Sequence, residues 1–297
     1  MSKATRIRQQ NAREKIKAQQ AAARRAEVRR RVLIVTGSVV AVIAIVVAFV
    51  LIKVNNNNAT SSGASGGVTG TALPASVQKD LTTVPASALD QVGVGSATPS
   101  AFKTISNTAL TSNGKPEMLY IGAEYCPYCA AERWAIAVAL SRFGTFTTQL
   151  RGIHSSSTDV YPKTPTITYY KAGYSSPYLV FTPVENENLT GGPLQNTTAE
   201  QGALWKQYDT TSSGSTGYPF IDFGNKVVLT NPSYSPQVLA GMTWAQVAAA
   251  LHNPKSAVAQ GALGSANLIT AAICKMTGGK PGDVCTSAGV VTASKSL

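Results

Sequence analysis

The sequence predicts an α/β domain tethered to a membrane by one N-terminal helix, and three observations predict it. Residues 32–52 read VLIVTGSVVAVIAIVVAFVLI, 21 positions without a charge. From about residue 72 the chain runs as strand, helix and strand, then a hairpin and a further helix, which is an α/β order. Of its 297 residues 44% are hydrophobic, too apolar for a disordered polymer. The formal net charge of +12 is lopsided: residues 1–31 hold eleven Lys and Arg against Glu14 and Glu27, a net +9, leaving +3 for the rest. A globular nucleic-acid-binding domain is therefore disfavoured, because most of the basic charge lies outside any foldable segment.

A helix over residues 32–52 would span roughly 30 Å, the thickness of a bilayer core. The run is longer than a signal-peptide core, and no small-residue cleavage site follows it, only Lys53-Val54 and then Asn55–Asn58. An uncleaved single-pass anchor is expected. Arg29, Arg30 and Arg31 abut one end, so the basic tail (residues 1–31) is expected in the cytoplasm and everything after Lys53 outside it. Residues 53–71 contain NNNNATSSGASGGVTGT, a flexible linker whose ends would lie about 20–25 Å apart. Three Asn-x-Thr patterns, at Asn58, Asn188 and Asn196, matter only in a glycosylating host.

Residues 72–297 are long enough for one sizeable domain. Short helices are expected near Pro74–Thr83 and Pro85–Val92, a strand at Phe102–Ser106, and a stronger strand at Met118–Ile121 after the turn Ser112-Asn113-Gly114. A helix from Pro127 to Phe143 is apolar nearly all round and should be buried against a sheet. Strands are expected at Phe146–Ile153, Thr166–Tyr170 and Tyr178–Phe181, with a helix at Thr198–Tyr208. Pro219–Phe223, the turn Gly224-Asn225 and Lys226–Leu229 read as a hairpin, and helices at Thr243–Leu251 and Ala257–Met276 follow.

Four cysteines are too few for a disulfide-built scaffold, so their placement carries the argument. Cys126-Pro127-Tyr128-Cys129 follows a strand and opens the buried helix. Pro127 falls at the first helical position, where its missing N–H costs nothing. Cys126 then takes the N-cap, facing unpaired backbone N–H groups and the positive end of the helix dipole, and both favour the thiolate. Cys129 lies one turn on, placed to attack a mixed disulfide on Cys126. Three plainer readings compete: half of a zinc site, a mixed metal site drawing on His154 and His252, and a static disulfide stapling the helix start. Cys274 and Cys285 enclose a Gly/Pro-rich loop and read as a structural disulfide, with a redox relay as the sharper alternative.

Met118–Phe143 resembles the active-site strand, motif and helix of the thioredoxin-like superfamily. That resemblance implies a second mark, a cis-proline opening a strand opposite the cysteines. Tyr218-Pro219 before FIDFGNK matches it, and Pro165 in Thr164-Pro165-Thr166 is a rival; Pro219 is preferred because a hairpin and helix follow it. A narrower resemblance covers most of residues 72–285. CPYCAAERWAIAVALSRFG, SSSTDVYPKTPT, PFIDFGNK and the stretch Leu268–Cys274 resemble the membrane-anchored prokaryotic family called domain of unknown function 929. Together they imply a thioredoxin-like fold with an inserted segment and a helical C-terminal extension. Thioredoxins keep a buried Asp six residues before the first cysteine, where this chain has Tyr120. Glu124 or Glu132 could substitute for it, but the plainer expectation for both is a solvated or ion-paired surface acid, Glu132 with Arg133 or Arg142. The aromatics between the cysteines and Pro219, among them Tyr161, Tyr169 and Trp205, are read as strand and core residues, with a peptide-binding surface near the cysteines as the alternative.

The function expected is thiol–disulfide exchange on secreted or membrane proteins, with a membrane redox partner to reset the pair and no cofactor or metal. Cys126 is the expected nucleophile, Cys129 the resolving thiol, and Pro219 a shaper of the client groove. The rivals are a thioredoxin-like binding or scaffold module with a permanent disulfide, and a metal chaperone, against which the two His and four Met count.

Overall fold

The computed structural model describes residues 69–210 and 214–297; the basic tail, the expected membrane span and residues 53–68 lie outside the described residues. The domain is mixed α/β, with eight α-helices among the described residues. It opens with β1 (Thr71–Ala72), α1 (Ala75–Thr82) and α2 (Ala86–Val92). Pro74 and Pro85 stand as the N-caps of these helices, one position earlier than a first-turn proline. The chain then builds β2 (Phe102–Thr104), the short β3 (Thr111–Ser112), β4 (Lys115–Ala123) and α3 (Pro127–Leu140). A run of short strands follows: β5 (Thr145–Phe146), β6 (Arg151–His154), β7 (Pro165–Thr168) and β8 (Tyr174–Ser175). After them come β9 (Val180–Glu187), α4 (Ala199–Asp209), β10 (Phe220–Phe223) and β11 (Val227–Leu229). The end is helical, with α5 (Trp244–Leu251), α6 (Ala257–Met276), α7 (Gly282–Cys285) and α8 (Ala288–Ser294).

The main sheet runs β2-β11-β10-β4, with β9 on the far side of β4 and β3 folded back onto its first residues. β9 is parallel to β4, whereas β10, β11 and β2 alternate in antiparallel pairs. Side chains alternate across this sheet as the pleat requires. Met118, Tyr120, Ile221, Phe223, Val227 and Leu229 enter the large core shared with α3 and α6. Leu119, Ile121, Phe220 and Val228 enter a smaller core on the other face, closed by Leu204, Trp205 and Tyr208 of α4. Between Phe223 and its partner Val227 the chain turns over three residues: Gly224 and Asn225 both stand at positive φ (65° and 56°), and Lys226 N–H donates to Phe223 O.

α6 is long and apolar enough to cross a membrane by length and composition, but most of it is buried inside the domain, where it packs on α2, α3 and α8. It is a core helix. Its C-terminal end is tied to α7 by the Cys274–Cys285 disulfide, Cα–Cα 5.7 Å.

Several expected strands differ in their bounds from those observed, and two differ most. Phe146–Ile153 divides into β5 and β6, which join different sheets, because residues between them turn toward α1. There Gln149 Nε2 donates to Leu73 O and Gln78 Oε1 accepts from Leu150 N. The strand expected at Tyr178–Phe181 starts at Val180 and continues to Glu187, since β4 offers it a parallel partner over that whole length. Thr71, read as the end of the linker, pairs with Gly152 of β6, and Arg151 Nε donates to Thr69 O.

Candidate functional site

β4 ends at Ala123, and two turn residues later Cys126 caps α3. The Cys126 sulfur accepts the backbone N–H of Cys129 at 3.2 Å, so it satisfies one of the donors that every helix start leaves open. Pro127 sits at the first helical position and is buried. The two cysteines are free and differ in reach: Cys126 is 6% exposed and Cys129 0%. They differ in acidity in the same sense. The Cys126 thiol is held below the ordinary range, chiefly by the hydrogen bond from the Cys129 side chain; burial opposes this, and the Cys129 N–H, the Arg133 charge and the Tyr128 N–H assist. The Cys129 thiol is pushed well up by burial and then by Cys126 itself, with Arg133 pulling the other way. One slightly exposed thiol with a lowered pKa thus stands beside one fully enclosed thiol with a raised pKa.

Arg133, one turn beyond Cys129, is wholly buried. Its Nε donates to Glu185 Oε1 at 2.9 Å and its Nη2 to Glu185 Oε2 at 2.6 Å, a two-pronged pair with both side chains fully enclosed. Nη2 also donates to Ala123 O at 2.8 Å, which fixes the end of β4 just before the cysteines. Glu185 Oε1 accepts the Tyr169 N–H, and Tyr169 Oη donates to the Arg133 carbonyl. Tyr120 lies under the guanidinium, 5.9 Å from ring centroid to Cζ, with its hydroxyl buried and unpaired. Burial, the largest single influence, works against the Arg133 charge, and Glu185 together with Tyr120 and Cys129 more than offsets it.

The two acids flanking the motif are not surface residues. Glu124 and Glu132 are both 0% exposed, and neither forms an ion pair among the described residues. Glu132 points away from the cysteines: Oε1 accepts the Ser233 N–H and Oε2 the Ser265 hydroxyl at 3.1 Å. Glu124 Oε1 accepts hydroxyls from Thr168 at 2.7 Å and Thr69 at 2.5 Å, while Oε2 is buried without a partner. Burial raises the pKa of both, and the hydroxyl bonds only partly offset it. The surface-acid expectation fails because α3 is enclosed on all sides, so its polar residues must find partners inside.

The Tyr218–Pro219 peptide is cis, whereas Thr164–Pro165 is trans with Pro165 opening β7. Pro219 directly precedes β10, whose Phe220 lies opposite Ile121 of β4. Tyr218 packs against the cluster of Ala123, Cys126 and Cys129 together with Tyr125 and Tyr128. Its ring meets Tyr125 edge-on at 6.4 Å, and its hydroxyl lies 2.6 Å from Asn186 Oδ1 and 3.2 Å from Glu187 Oε1. Of the intervening aromatics, Tyr169 is core, whereas Tyr161 meets Tyr128 of the motif edge-on at 5.8 Å. Among the described residues no group of three or more His, Cys, Asp or Glu side chains is placed to hold a metal ion. His154 lies against Trp244, ring centroids 5.0 Å apart with the planes tilted by 35°, and His252 Nε2 bonds Asp80 O.

Sequence reasoning missed Glu185, Thr168 and Thr69, and it paired Arg133 with the wrong acid. The available signal was Arg133 itself: a guanidinium four residues after Cys129 on an all-apolar helix requires a buried partner.

Fold and site together define a mixed α/β domain that offers a pair of free, electrostatically unequal cysteines at the N-terminus of an enclosed helix. The chain belongs to the family described as Domain of unknown function (DUF929), whose profile matches residues 101–275, more than half of the chain. No curated protein and no solved structure matches it.

Proposed function

We propose that this protein is a thioredoxin-like thiol–disulfide oxidoreductase. Residues 32–52 would anchor it, with its N-terminus cytoplasmic and the domain outside, acting on cysteines of secreted or membrane proteins. The observation that carries the reading is the inequality of the pair: Cys126 slightly exposed with its pKa lowered, Cys129 fully enclosed with its pKa raised. A static staple needs no such difference. The sheet order β9-β4-β10-β11, the motif helix after β4 and a long helix after the hairpin support the thioredoxin-like fold. Tyr218, just before Pro219, packs on the cysteine cluster and supports a client groove there.

In the reducing direction the Cys126 thiolate attacks one sulfur of a client disulfide. A Cys126–client bond forms and the client's other sulfur leaves as a thiolate, which takes up a proton. Cys129 then gives up its proton and attacks the Cys126 sulfur, releasing the second client thiol. The client disulfide is reduced and the Cys126–Cys129 pair oxidised; the oxidising direction is the reverse. Stabilising the Cys126 thiolate stabilises the dithiol form, so the poise is toward oxidation of clients.

The test is the reduction potential of the pair, measured in the detergent-solubilised full chain against glutathione, with Cys126→Ser/Cys129→Ser as the blank. A value above about −270 mV, the thioredoxin level, is expected. A value below about −300 mV with no exchange on a model substrate would replace this reading with that of a non-catalytic scaffold carrying a structural bridge.

A further inference from the structure

A hollow of about 430 Å³ opens beside the residue that precedes Cys126, lined by Tyr125, Ser156, Thr158, Glu187, Leu189 and Thr190. Both loops that wall it are fixed to the structure around the cysteines. Ser156 N–H donates to Tyr125 O at 2.8 Å, Lys163 N–H closes the same loop onto Ser156 O, and Tyr161 of that loop meets Tyr128. On the other side Asn188 Oδ1 gathers the N–H groups of Thr190 and Gly192 and the Thr190 hydroxyl. Only three large hydrophobic side chains are exposed among the described residues, and two of them rise from these loops: Val160 (71%) and Leu189 (38%).

The floor carries the chemistry. Glu187 ends β9 opposite Ala123, and its backbone carbonyl accepts the Glu124 N–H. Its carboxylate takes a hydroxyl contact from Tyr218 but pairs with no cation among the described residues, and no lining residue is Lys or Arg. Asp159 adds a second negative charge near Tyr128. Lys163 is the loop's one cation, and its charge is felt by His154.

We infer that this hollow is a client subsite which selects a cationic side chain, Lys or Arg, close to the client's reactive cysteine. The inference rests on the exchange reading and deepens it. An extended client segment advances about 3.3 Å per residue. With its cysteine at Cys126, a neighbour within about three residues reaches the hollow beside Tyr125. There the Glu187 carboxylate meets the cation, and Val160 and Leu189 flank the apolar positions. Charge complementarity at such a partly open site acts mainly on the encounter rate.

The experiment uses the reduced, detergent-solubilised full chain and three synthetic peptides. Each has one cysteine as a mixed disulfide with thionitrobenzoate and carries Arg, Ala or Glu at the flanking positions. Attack by Cys126 forms the Cys126–peptide disulfide and releases coloured thionitrobenzoate, the better leaving group. The Arg peptide is expected to react about tenfold faster than the Glu peptide at low salt, the ratio shrinking in concentrated salt. Glu187→Gln should bring the ratio close to one. Thr158→Lys, which places a cation in the hollow at an exposed position, should do the same or invert it. Equal rates for all three peptides with the natural chain, or a ratio untouched by both substitutions, would overturn the subsite while leaving exchange intact. Failure of every peptide to react would instead remove the exchange reading itself, and the subsite with it.

Discussion

The buried pair of Arg133 and Glu185 permits the sharpest test of how the protein tunes its cysteines. Substituting Arg133→Met leaves the Glu185 carboxylate enclosed without its cation; Glu185→Gln leaves the guanidinium without its anion. Breaking such a pair from one side costs about 3–5 kcal/mol, a large part of a typical domain's stability. The double variant removes both charges. Gln at 185 can still accept the Tyr169 N–H through its amide oxygen, so the main remaining loss is the bond to Ala123 O, about 1–3 kcal/mol for a carbonyl left buried. The double variant should therefore be more stable than either single one, with a coupling of at least about 3 kcal/mol. Arg133 lowers the pKa of both thiols, so Arg133→Met must raise the pH midpoint of Cys126 alkylation, and the double variant must keep it raised. Unfolding followed by tryptophan fluorescence and iodoacetamide labelling against pH measure the two effects. Additive destabilisation in the double variant, or an unmoved Cys126 midpoint in Arg133→Met, would refute the reasoning.

Three further outcomes follow from the same structure. Labelling of the reduced chain should modify Cys126 well before Cys129, with a midpoint below the ordinary thiol value of about 8.5; equal labelling of both would count against the inequality. Asp222, buried with Oδ2 unpaired, has its pKa raised from 3.8 to about 6 by burial, so the fold prefers it protonated and loses that preference as pH rises through 6. Asp222→Asn should stabilise the protein above pH 6 by up to about 3 kcal/mol, with the gain gone near pH 4, as read from unfolding curves at the two pH values. Replacing both Cys274 and Cys285 by Ser should cost about 2–3 kcal/mol in the chain-entropy account and leave Cys126 labelling unchanged; altered labelling would link the second pair to the first.

Local patterns were readable in the sequence where backbone rules decide them. The helices at Ala75–Thr82, Ala86–Val92 and Ala257–Met276 fall within a residue or two of where caps and apolar periodicity put them, and Gly224-Asn225 marked its own hairpin. Cys126 as an N-cap followed from Pro127 alone. What did not show was anything decided by a partner far along the chain. β9 carries Pro183 and three polar residues at its end, a poor strand by propensity, and it forms because β4 pairs with it and Arg133 neutralises Glu185. Glu132 and Glu124 look like exposed acids until Ser233, Ser265, Thr168 and Thr69 are seen to reach them from up to 133 positions away. Burial of a charged residue is a property of the assembled core, so no local window contains it.

The charges around the cysteines also explain why acids so close to the motif need not spoil it. An ionised carboxylate beside a thiol raises the thiol's pKa and would undo the work of the helix start. Burial raises the pKa of Glu124 and Glu132, Glu185 is matched by Arg133, and none of the main influences on the Cys126 thiol is a carboxylate. The thiolate is then left to the Cys129 side chain, the N–H groups of Cys129 and Tyr128, and the Arg133 charge. Closing the Cys126–Cys129 disulfide removes the charge that those donors stabilise. The free energy they contribute therefore belongs to the dithiol form, and each donor that holds the thiolate makes the disulfide a stronger oxidant. Glu124 adds a link to the N-terminal segment, because Thr69 supplies one of its two hydroxyl bonds. Thr69→Val would remove a bond that lowers the Glu124 pKa, leave the acid more fully protonated, and shift the Cys126 midpoint down or not at all. An upward shift would mean that Glu124 reaches the thiolate by some route other than its charge.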